Sequence, residues 1–260
     1  MNIDPVALRI GLLEVRWYSL AYIIGILFAY WYVRKIDKYE VFTPESYESI
    51  ISWWIVGMIL GGRIGYVLFY NLNFYMNFPI EVFKLWKGGM SFHGASLGLF
   101  CTMYIFCKKY KVKFLSAIDV CLCAVPVGIF LGRIANFING ELYGKVTDAR
   151  FGMIFQNSGD FAYRHPSQLY EAFFEGFLLF VVMNLLFFFT KIRSYHGMLF
   201  SVFMMWYGIV RFCIEFIREP DVQLGYILFN SITMGQVLSF VMVIVGICVF
   251  KFSSKSSSNF

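Results

Sequence analysis

Seven apolar segments, each long enough to cross a lipid bilayer, constrain this chain more than any other feature of its sequence. A hydrocarbon core of roughly 30 Å needs about 20 apolar residues in a helix, and its backbone groups must be hydrogen-bonded within the segment. The sequence therefore predicts an all-α integral membrane protein with seven transmembrane helices. The predicted spans are Trp17–Val33, Ile50–Tyr70, Met90–Cys107, Ala117–Asn139, Leu169–Thr190, Gly197–Ile217 and Ile232–Phe252.

The composition supports this class of protein. Hydrophobic residues make up 59% of the chain and charged residues only 15%, a balance unlike that of a soluble domain. The six cysteines lie in or beside apolar runs without CxxC spacing, which indicates buried thiols rather than a metal site or a disulfide framework. The net charge of +6 is spread over several loops, so membrane topology explains it better than nucleic-acid binding does.

Lysines and arginines orient the chain, because cytoplasmic loops carry an excess of them. The loops after spans 1, 3 and 5 and the C-terminal segment hold more of these residues than the other extramembrane segments do. The sequence thus predicts an extracytoplasmic N-terminus and a cytoplasmic C-terminus. We expect one membrane domain over residues 1–252, a small extracytoplasmic cap inserted at residues 140–168 between spans 4 and 5, and a disordered tail over residues 253–260.

Three arginines lie inside predicted spans, where a charge at the bilayer centre costs roughly 2.5–3.5 kcal/mol on insertion scales. In the predicted orientation, Arg63, Arg133 and Arg211 all lie towards the extracytoplasmic end of their spans. His93 lies in the first turn of span 3, at the same end. We therefore expect polar groups from four separate spans to meet at one depth of the membrane.

Helical spacing groups further polar residues with these arginines, because residues three or four apart share a helix face. Three such faces contain arginines, and each is expected to point inward because lipid offers these groups no partner. The faces comprise Arg63, Tyr66 and Tyr70; Arg133, Asn136 and Gly140; and Tyr207, Arg211, Glu215 and Arg218.

Glycines recur at every fourth position in two of the spans. This GxxxG spacing lets helix backbones approach closely in membranes. It predicts tight helix packing at Gly57, Gly61 and Gly65 in span 2, and at Gly128 and Gly132 in span 4.

The chemistry best suited to such a pocket is recognition of a phosphate. A guanidinium stays charged and binds phosphate oxygens through two parallel hydrogen bonds, and the phosphates at this depth belong to lipid head groups. A histidine beside them can accept a proton from a nucleophile near neutral pH. The residues thus predict a site that binds a phospholipid head group and acts on it. The alternative for His93 is a helix-start histidine that donates to a loop carbonyl.

Structural roles compete for several carboxylates. Glu215 follows Arg211 by four residues, which predicts an ion pair between them within one helix. Glu141 has the same alternative as a partner of the span 4 arginine. Glu171 and Glu175 lie one helix turn apart near the start of span 5, and we interpret them as structural.

Two other classes of membrane protein compete with an enzyme. Intramembrane charges also mark transport pathways, but transporter sites lie near the midplane and within repeats, whereas these charges crowd one side and no internal repeat is visible. A retinal-binding receptor is excluded because the span 7 sequence ITMGQVLSFVMVIVGICVF contains no lysine for a Schiff base. Composition leaves a ligand-gated receptor open.

Five sequence stretches carry a resemblance to a known family. The stretch GRIANFINGELYG from Gly132 matches the signature GRxxNFxNxExxG, and four more stretches occur in the expected order along nearly the whole chain. The chain resembles the prolipoprotein diacylglyceryl transferases, integral membrane enzymes of bacterial lipoprotein maturation. The four further stretches are GGRIGYVLFYN, GGMSFHGA, RHPSQLYE and YGIVRFCIEFIREPD.

The resemblance implies a reaction, its partners and a location. The diacylglyceryl group of phosphatidylglycerol is transferred to the lipobox cysteine thiol of a preprolipoprotein; a thioether forms and glycerol phosphate leaves. No metal, nucleotide or organic cofactor is expected. The expected location is the bacterial cytoplasmic (inner) membrane, with the active site towards the extracytoplasmic side. The partners are then the lipid bilayer, phosphatidylglycerol and preprolipoprotein signal peptides, with no nucleic acid.

Roles for individual residues follow from the same match. Arg133 and Arg211 are expected to hold the phosphate and to stabilise charge on the leaving group, and His93 is the candidate base. A base or a positive field would each raise the thiolate fraction of a thiol whose pKa is about 8.5, and the sequence does not rank the two. The other residues expected to bind substrate are Arg63, Tyr18, Tyr66, Asn136, Asn139, Glu141, Gly144, Tyr207 and Glu215.

One position departs from the family pattern. Many members carry histidine immediately before the Trp-Tyr pair of the first span, whereas this chain has Arg16 there. A catalytic role at position 16 is therefore not expected.

Overall fold

A computed structural model describes residues 4–11, 13–38, 40–220, 226–228 and 231–255. The chain forms two compact units, one comprising Met1–Ile36 with Ile118–Phe260 and the other Asp37–Ala117; we refer to them as the first and second units. The side chains of eight residues within the described elements lie outside the description. These residues are Ile10, Leu13, Phe92, His93, Tyr226, Ile227, Leu228 and Lys255.

The described residues are mostly helical, as predicted, and two short β-hairpins correct the all-α expectation. The hairpins pair β1 (Val6–Ile10) with β2 (Leu13–Arg16), and β3 (Tyr226–Leu228) with β4 (Ile232–Thr233), both antiparallel. A π-helical turn, Ala172–Phe177, joins the seventh helix to the eighth. The helices are α1 (Trp17–Ile36), α2 (Pro44–Tyr70), α3 (Leu72–Asn77), α4 (Phe92–Tyr110), α5 (Phe114–Leu122), α6 (Val125–Asn139), α7 (Ser167–Glu171), α8 (Leu178–Phe189), α9 (Met198–Ile214) and α10 (Met234–Lys255). Short 3₁₀ helices span Pro79–Phe83, Leu85–Lys87, Gln156–Ser158 and Ile192–Ser194.

Among the described residues, four helices are long and apolar enough to cross a membrane. They are α1, α2, α10 and the continuous run Ser167–Phe189, which includes α7, the π-turn and α8. The pair α5 and α6 forms up to one more span, bent by 47° at a break. Pro126 lies in the first turn of α6, where its missing N–H and fixed φ favour starting a new helix. By length and apolarity, the described residues thus provide four or five candidate membrane spans.

Two predicted spans fall on helices outside this set. Span 3 coincides with α4, which carries Lys108 and Lys109 in its last turn, and span 6 coincides with α9, a helix of only 17 residues. Seven spans therefore stay a prediction. At the other end of the chain, α10 continues to Lys255, so the helix includes the first residues of the tail that was predicted to be disordered.

Within the second unit, α2 and α4 pack backbone against backbone. A methyl group placed on Gly61 would lie 2.6 Å from the Cα atom of Gly98, and one placed on Gly65 would lie 2.7 Å from the Cα atom of Gly94. Any larger side chain at these positions would push the helices apart. The close packing predicted from the GxxxG spacing of span 2 is confirmed.

In span 4 the same prediction holds at one glycine and is wrong at the other. Helix α1 packs closely against α6 at Gly128, since a methyl group on Gly25 would lie 3.3 Å from the Gly128 Cα atom. Among the described residues, no neighbouring element lies within 4 Å of a methyl group placed on Gly132. The close approach therefore occurs at Gly25 and Gly128 and does not extend to Gly132.

A buried carboxylate positions helix α9 in the first unit. Asp119 of α5 accepts hydrogen bonds from the backbone N–H groups of Gly197, at 2.6 Å, and Phe200, at 2.7 Å. These N–H groups belong to the first turn of α9, which has no partner for them within the helix. Asp119 thus caps α9 from a neighbouring helix. It fixes the position of α9 along its axis, and the C-terminal residues of α9 reach the candidate site.

Candidate active site

A buried cluster of six charged side chains lies in the first unit, where α6, α7, the π-turn and the end of α9 meet. Three arginines and three glutamates lie within ion-pair distance of one another, and none exposes more than 16% of its side chain. We call this group the charged cluster. Its members are Arg133, Arg211, Arg218, Glu171, Glu175 and Glu215.

Glu171 lies at the centre of the charged cluster. Its Oε2 atom is 3.0 Å from Arg133 Nη1, and its Oε1 atom accepts a hydrogen bond from Arg211 Nη1. The same Oε1 atom is 3.8 Å from Arg218 Nε. One carboxylate therefore holds the two arginines that the sequence assigns to phosphate binding, and both guanidinium groups lie in one compartment.

The other two glutamates extend these pairs. Glu175 Oε2 accepts a hydrogen bond of 3.1 Å from Arg133 Nη2. Glu215 Oε2 is 2.9 Å from Arg211 Nη2, so the ion pair predicted from their spacing is confirmed. The second oxygen of Glu215 accepts a hydrogen bond of 3.0 Å from the Thr233 hydroxyl. Every carboxylate in the charged cluster thus contacts a guanidinium.

A tight contact between the π-turn and α6 places the glutamates opposite Arg133. A methyl group on Gly176 would lie 2.7 Å from the Cα atom of Phe130, so only glycine permits this approach. A π-turn widens the helix locally, and such turns occur frequently at functional sites. Here Glu171 ends α7, Glu175 lies in the π-turn, and both side chains face α6 and α9.

Tyr207 joins the charged cluster from α9, one turn before Arg211. Its hydroxyl lies beside the Arg133 guanidinium, and its ring stacks on Phe203 with 5.9 Å between ring centroids. The predicted face that begins at Tyr207 is therefore directed at the buried charges. Glu215 and Arg218 follow the end of the helix at Ile214.

Formal charge is balanced among these six side chains, with three positive and three negative groups. Removing one partner of a buried pair leaves an uncompensated charge and typically costs about 3–5 kcal/mol. The sequence favours a structural role for Glu171 and Glu175 and does not place them in the predicted site. The sequence does contain an indication of their role. Two glutamates one turn apart in an apolar span are as costly to bury as the arginines, so they need partners of opposite charge.

The signature residues after Arg133 build the turn that ends α6. Asn136 and Asn139 donate hydrogen bonds of 2.9 Å and 3.3 Å to Glu141 Oε1. Gln168 donates a hydrogen bond of 2.7 Å to the backbone carbonyl of Glu141. Glu141 therefore pairs with two asparagines rather than with Arg133, and the turn is tied to the start of α7 and thus to Glu171.

Gly144 lies where the cap passes between two other segments. Its N–H donates to the His165 carbonyl at 2.8 Å, and a methyl group on it would lie 2.6 Å from His165 Cβ and 2.7 Å from the Ile217 carbonyl oxygen. Glycine is required here for space. The contact brings the cap against the end of α9, close in sequence to Glu215 and Arg218.

Arg164 connects the loop at residues 140–168 with the segment that follows α9. Its guanidinium lies 2.7 Å from Asp160 Oδ2 and 3.0 Å from Glu219 Oε2. Hydrogen bonds from Arg164 and Ser158 lower the pKa of the Asp160 carboxyl to about 2. Arg164 and Asp160 therefore both stay ionised at neutral pH, and their ion pair holds this part of the loop together.

Arg63 in the second unit has a different environment from the other two intramembrane arginines. It is 4% exposed, and its guanidinium makes five hydrogen bonds, all to backbone carbonyl oxygens of the loop between α3 and α4. A guanidinium has five N–H donors, so this loop engages its donor capacity. The acceptors are the carbonyls of Glu81, Val82, Lys84, Gly88 and Gly89, at 2.6 to 3.3 Å.

The remaining predicted residues lie in several places. Tyr66 stacks on Tyr70 in the second unit, with 5.6 Å between ring centroids, and Tyr18 packs against Tyr22 in the first unit at 5.2 Å. The backbone of His93 lies in the first turn of α4, and its side chain lies outside the described residues. The meeting of Arg63, His93 and Tyr66 with the charged cluster stays a prediction.

Fold and site together define a helical membrane protein with a buried, charge-balanced centre. The sequence model of the prolipoprotein diacylglyceryl transferase family matches residues 5–252 of the chain. The chain therefore belongs to this family, and the resemblance read from its motifs is confirmed. Family membership makes the protein a transferase and sets aside the transporter and receptor alternatives.

Individual relatives agree with the family assignment. The chain is 87% identical to the phosphatidylglycerol–prolipoprotein diacylglyceryl transferase of Ehrlichia ruminantium (strain Welgevonden), across 98% of this chain and 99% of that protein. It is 69% identical to the protein of the same name from Ehrlichia canis (strain Jake), across 95% and 94%. For that of Wolbachia pipientis wMel, the identity is 53% across 98% and 99%.

Replacing Arg63 with lysine tests whether this arginine organises the loop at residues 78–89. Lysine has three donors on one nitrogen and cannot reach five carbonyls, so we expect amide hydrogen exchange in that loop to become at least about ten-fold faster. Mass spectrometry of exchanged peptides measures this rate. Arg34→Lys, at the exposed end of α1, is the matched control. Unchanged protection in Arg63→Lys would show that the carbonyl contacts do not hold the loop.

Proposed function

We propose that this protein transfers the diacylglyceryl group of phosphatidylglycerol to the lipobox cysteine thiol of preprolipoproteins, forming a thioether and releasing glycerol phosphate. Membership of the family supports the reaction, and relatives up to 87% identical carry the name of both substrates. We place the active site at Glu171, because its carboxylate brings the guanidinium groups of Arg133 and Arg211 together.

The arrangement around Glu171 suits a phosphodiester. Arg133 and Arg211 each contact a different oxygen of one carboxylate, and a phosphodiester likewise offers two anionic oxygens to two guanidinium groups. We infer that the lipid phosphate lies beside Arg133 and Arg211. Arg218 and Glu215 then support Arg211 from the end of α9, and Tyr207 supports Arg133.

The reaction is an alkyl transfer to sulfur. The cysteine sulfur attacks a glycerol carbon of the diacylglyceryl group, a carbon–sulfur bond forms, and the carbon–oxygen bond to phosphate breaks. Negative charge gathers on the departing phosphate, where a preorganised donor is typically worth about 3 kcal/mol. The thiol proton must leave, and His93 is the proposed acceptor. The field of the two arginines would favour thiolate formation as well.

The other residues assigned to substrate binding act at different distances from the phosphate in this proposal. Tyr207 and Glu215 contact the arginines directly. Asn136, Asn139, Glu141 and Gly144 hold the turn and the cap beside the charged cluster. Tyr18, Tyr66 and Arg63 are proposed to line the lipid pocket, Arg63 through the loop that it organises.

The proposed topology keeps seven spans in the bacterial inner membrane, as a single membrane domain with an extracytoplasmic cap. In this topology the bent pair α5 and α6 counts as one span, which gives five by length and apolarity. Helices α4 and α9 supply the other two. The lysine and arginine distribution supports an extracytoplasmic N-terminus and a cytoplasmic C-terminus. The charged cluster then lies towards the extracytoplasmic side, where the lipobox cysteine is presented.

Removing either phosphate-binding arginine should abolish transfer. Arg133→Ala and Arg211→Ala are each expected to reduce thioether formation at least about 100-fold, because a lost preorganised donor costs this much in rate. Purified protein is incubated with labelled phosphatidylglycerol and a lipobox peptide, and the amount of thioether product is measured by mass spectrometry. Arg34→Ala, an exposed arginine of α1, should retain activity. Wild-type rates in both cluster variants would refute the phosphate site.

Replacing His93 with asparagine distinguishes a base from a binding residue. If His93 accepts the thiol proton, His93→Asn slows transfer at neutral pH, and the loss shrinks as the pH approaches the thiol pKa of about 8.5. Initial rates between pH 6.5 and 9 measure the effect. A loss of the same size at every pH would assign His93 to binding instead.

Single cysteines in a cysteine-free background test the orientation. Phe161→Cys replaces a cap residue that is 92% exposed and should react with a membrane-impermeant maleimide in intact spheroplasts. Lys109→Cys, at the exposed end of α4, should react only after the membrane is permeabilised. The opposite labelling pattern would invert the proposed topology.

A further inference from the structure

We propose that Glu175 takes up one proton when the anionic head group of the lipid enters the charged cluster. The inference rests on the proposed function and concerns how that site accommodates the negative charge of its substrate. Glu175 thereby acts as a charge-balancing residue, without contact to the reacting atoms.

The charge balance of the cluster requires a group that can lose a negative charge when the lipid binds. The charged cluster has three arginines and three glutamates within ion-pair distance, so it is formally neutral before the lipid arrives. A phosphodiester adds one negative charge. An uncompensated charge in a buried site is strongly unfavourable, so binding requires that the cluster lose one negative charge.

Movement of a glutamate into water is opposed by the packing. The side chains of Glu171 and Glu175 are 0% exposed. The turn that carries Glu175 is held against α6 at the contact between Gly176 and Phe130, where a methyl group would already lie 2.7 Å from a backbone carbon. Protonation neutralises a carboxylate without moving the helix, and solvent supplies the proton.

The contacts select Glu175 over its neighbour. Glu171 has close arginine partners on both oxygens, Arg133 at 3.0 Å and the hydrogen bond from Arg211. Glu175 has one close partner, Arg133 at 3.1 Å, since its Oε1 atom is 3.8 Å from Arg211. Neutralising Glu175 therefore removes one close ion pair, with Arg133, and one longer pair, with Arg211, and Arg133 stays paired with Glu171.

All charged or titratable groups that the structure places against Glu175 favour this division of roles. Arg133 faces it from α6, Tyr207 and Arg211 face it from α9, and Glu171 lies one turn away on the same helix. The two arginines are the groups that the incoming phosphate engages. As the phosphate draws on their positive charge, the ionised form of Glu175 loses its counter-charges, and proton uptake follows by linkage.

Calorimetry of lipid binding in buffers with different ionisation enthalpies counts the protons. Full-length protein in detergent is titrated with short-chain phosphatidylglycerol, and the dependence of the binding enthalpy on the buffer enthalpy is the number of protons taken up. We expect about one for the wild type and about zero for Glu175→Gln. The dissociation constant of the wild type should rise by up to about ten-fold per pH unit, whereas that of Glu175→Gln should not change with pH.

Two matched variants separate the charge from the fold. Glu219→Gln removes the carboxylate that pairs with Arg164 outside the cluster and should keep the uptake of one proton. Glu175→Asp retains a carboxyl group and should keep it too, which maintains the test if the glutamine variant is unstable. Uptake of about one proton by Glu175→Gln, or no uptake by the wild type, would overturn the proposal.

An activity assay on the same wild-type preparation distinguishes this inference from the proposed function. If the protein makes thioether product and binds phosphatidylglycerol without proton uptake, the inference is wrong and the function stands. If it neither binds this lipid nor forms product, the proposed function is wrong and the inference falls with it.

Discussion

The organisation of the first unit depends on one constraint: a charged side chain in apolar surroundings needs a partner of opposite charge. Arg133 and Arg211 come from helices far apart in sequence, and Glu171 satisfies both. The elements that carry these residues must therefore pack together. Two contacts fix the positions of these elements: the close approach of Gly176 to α6 and the hydrogen bond from the start of α9 to Asp119. Together they hold the arginines and Glu171 within ion-pair distance.

Because Arg133 and Arg211 are already paired with Glu171, their guanidinium groups are held in place by the folded protein. A guanidinium held by a carboxylate is oriented before the substrate arrives, which is how electrostatic catalysis avoids reorganisation during the reaction. Arg63 shows the alternative fate of the same residue type. Its donors are engaged by the carbonyls of one loop, so it stabilises structure, whereas Arg133 and Arg211 are paired with side-chain carboxylates.

Much of the fold could be predicted from the sequence, because hydrophobicity along the chain is a local property. Helices α1, α2 and α10 follow the apolar runs closely, and the packing at Gly61 follows from glycine spacing. The role of Glu171 could not be read in this way. Its partners lie about forty positions away on either side, and only the folded chain shows that they meet. The close packing predicted at Gly132 is wrong for the same reason, since residue spacing does not say which neighbour a helix face meets.

The sequence by itself determined that this chain is a membrane protein, which residues would be costly to bury, and, through its motifs, the family to which it belongs. Those properties depend on the chemistry and order of the residues alone. The tertiary structure decided which charge pairs with which: Arg133 and Arg211 with Glu171, Glu141 with two asparagines, Arg63 with a loop. Pairing depends on distances of a few ångströms between segments far apart in sequence, and those distances exist only once the helices have packed.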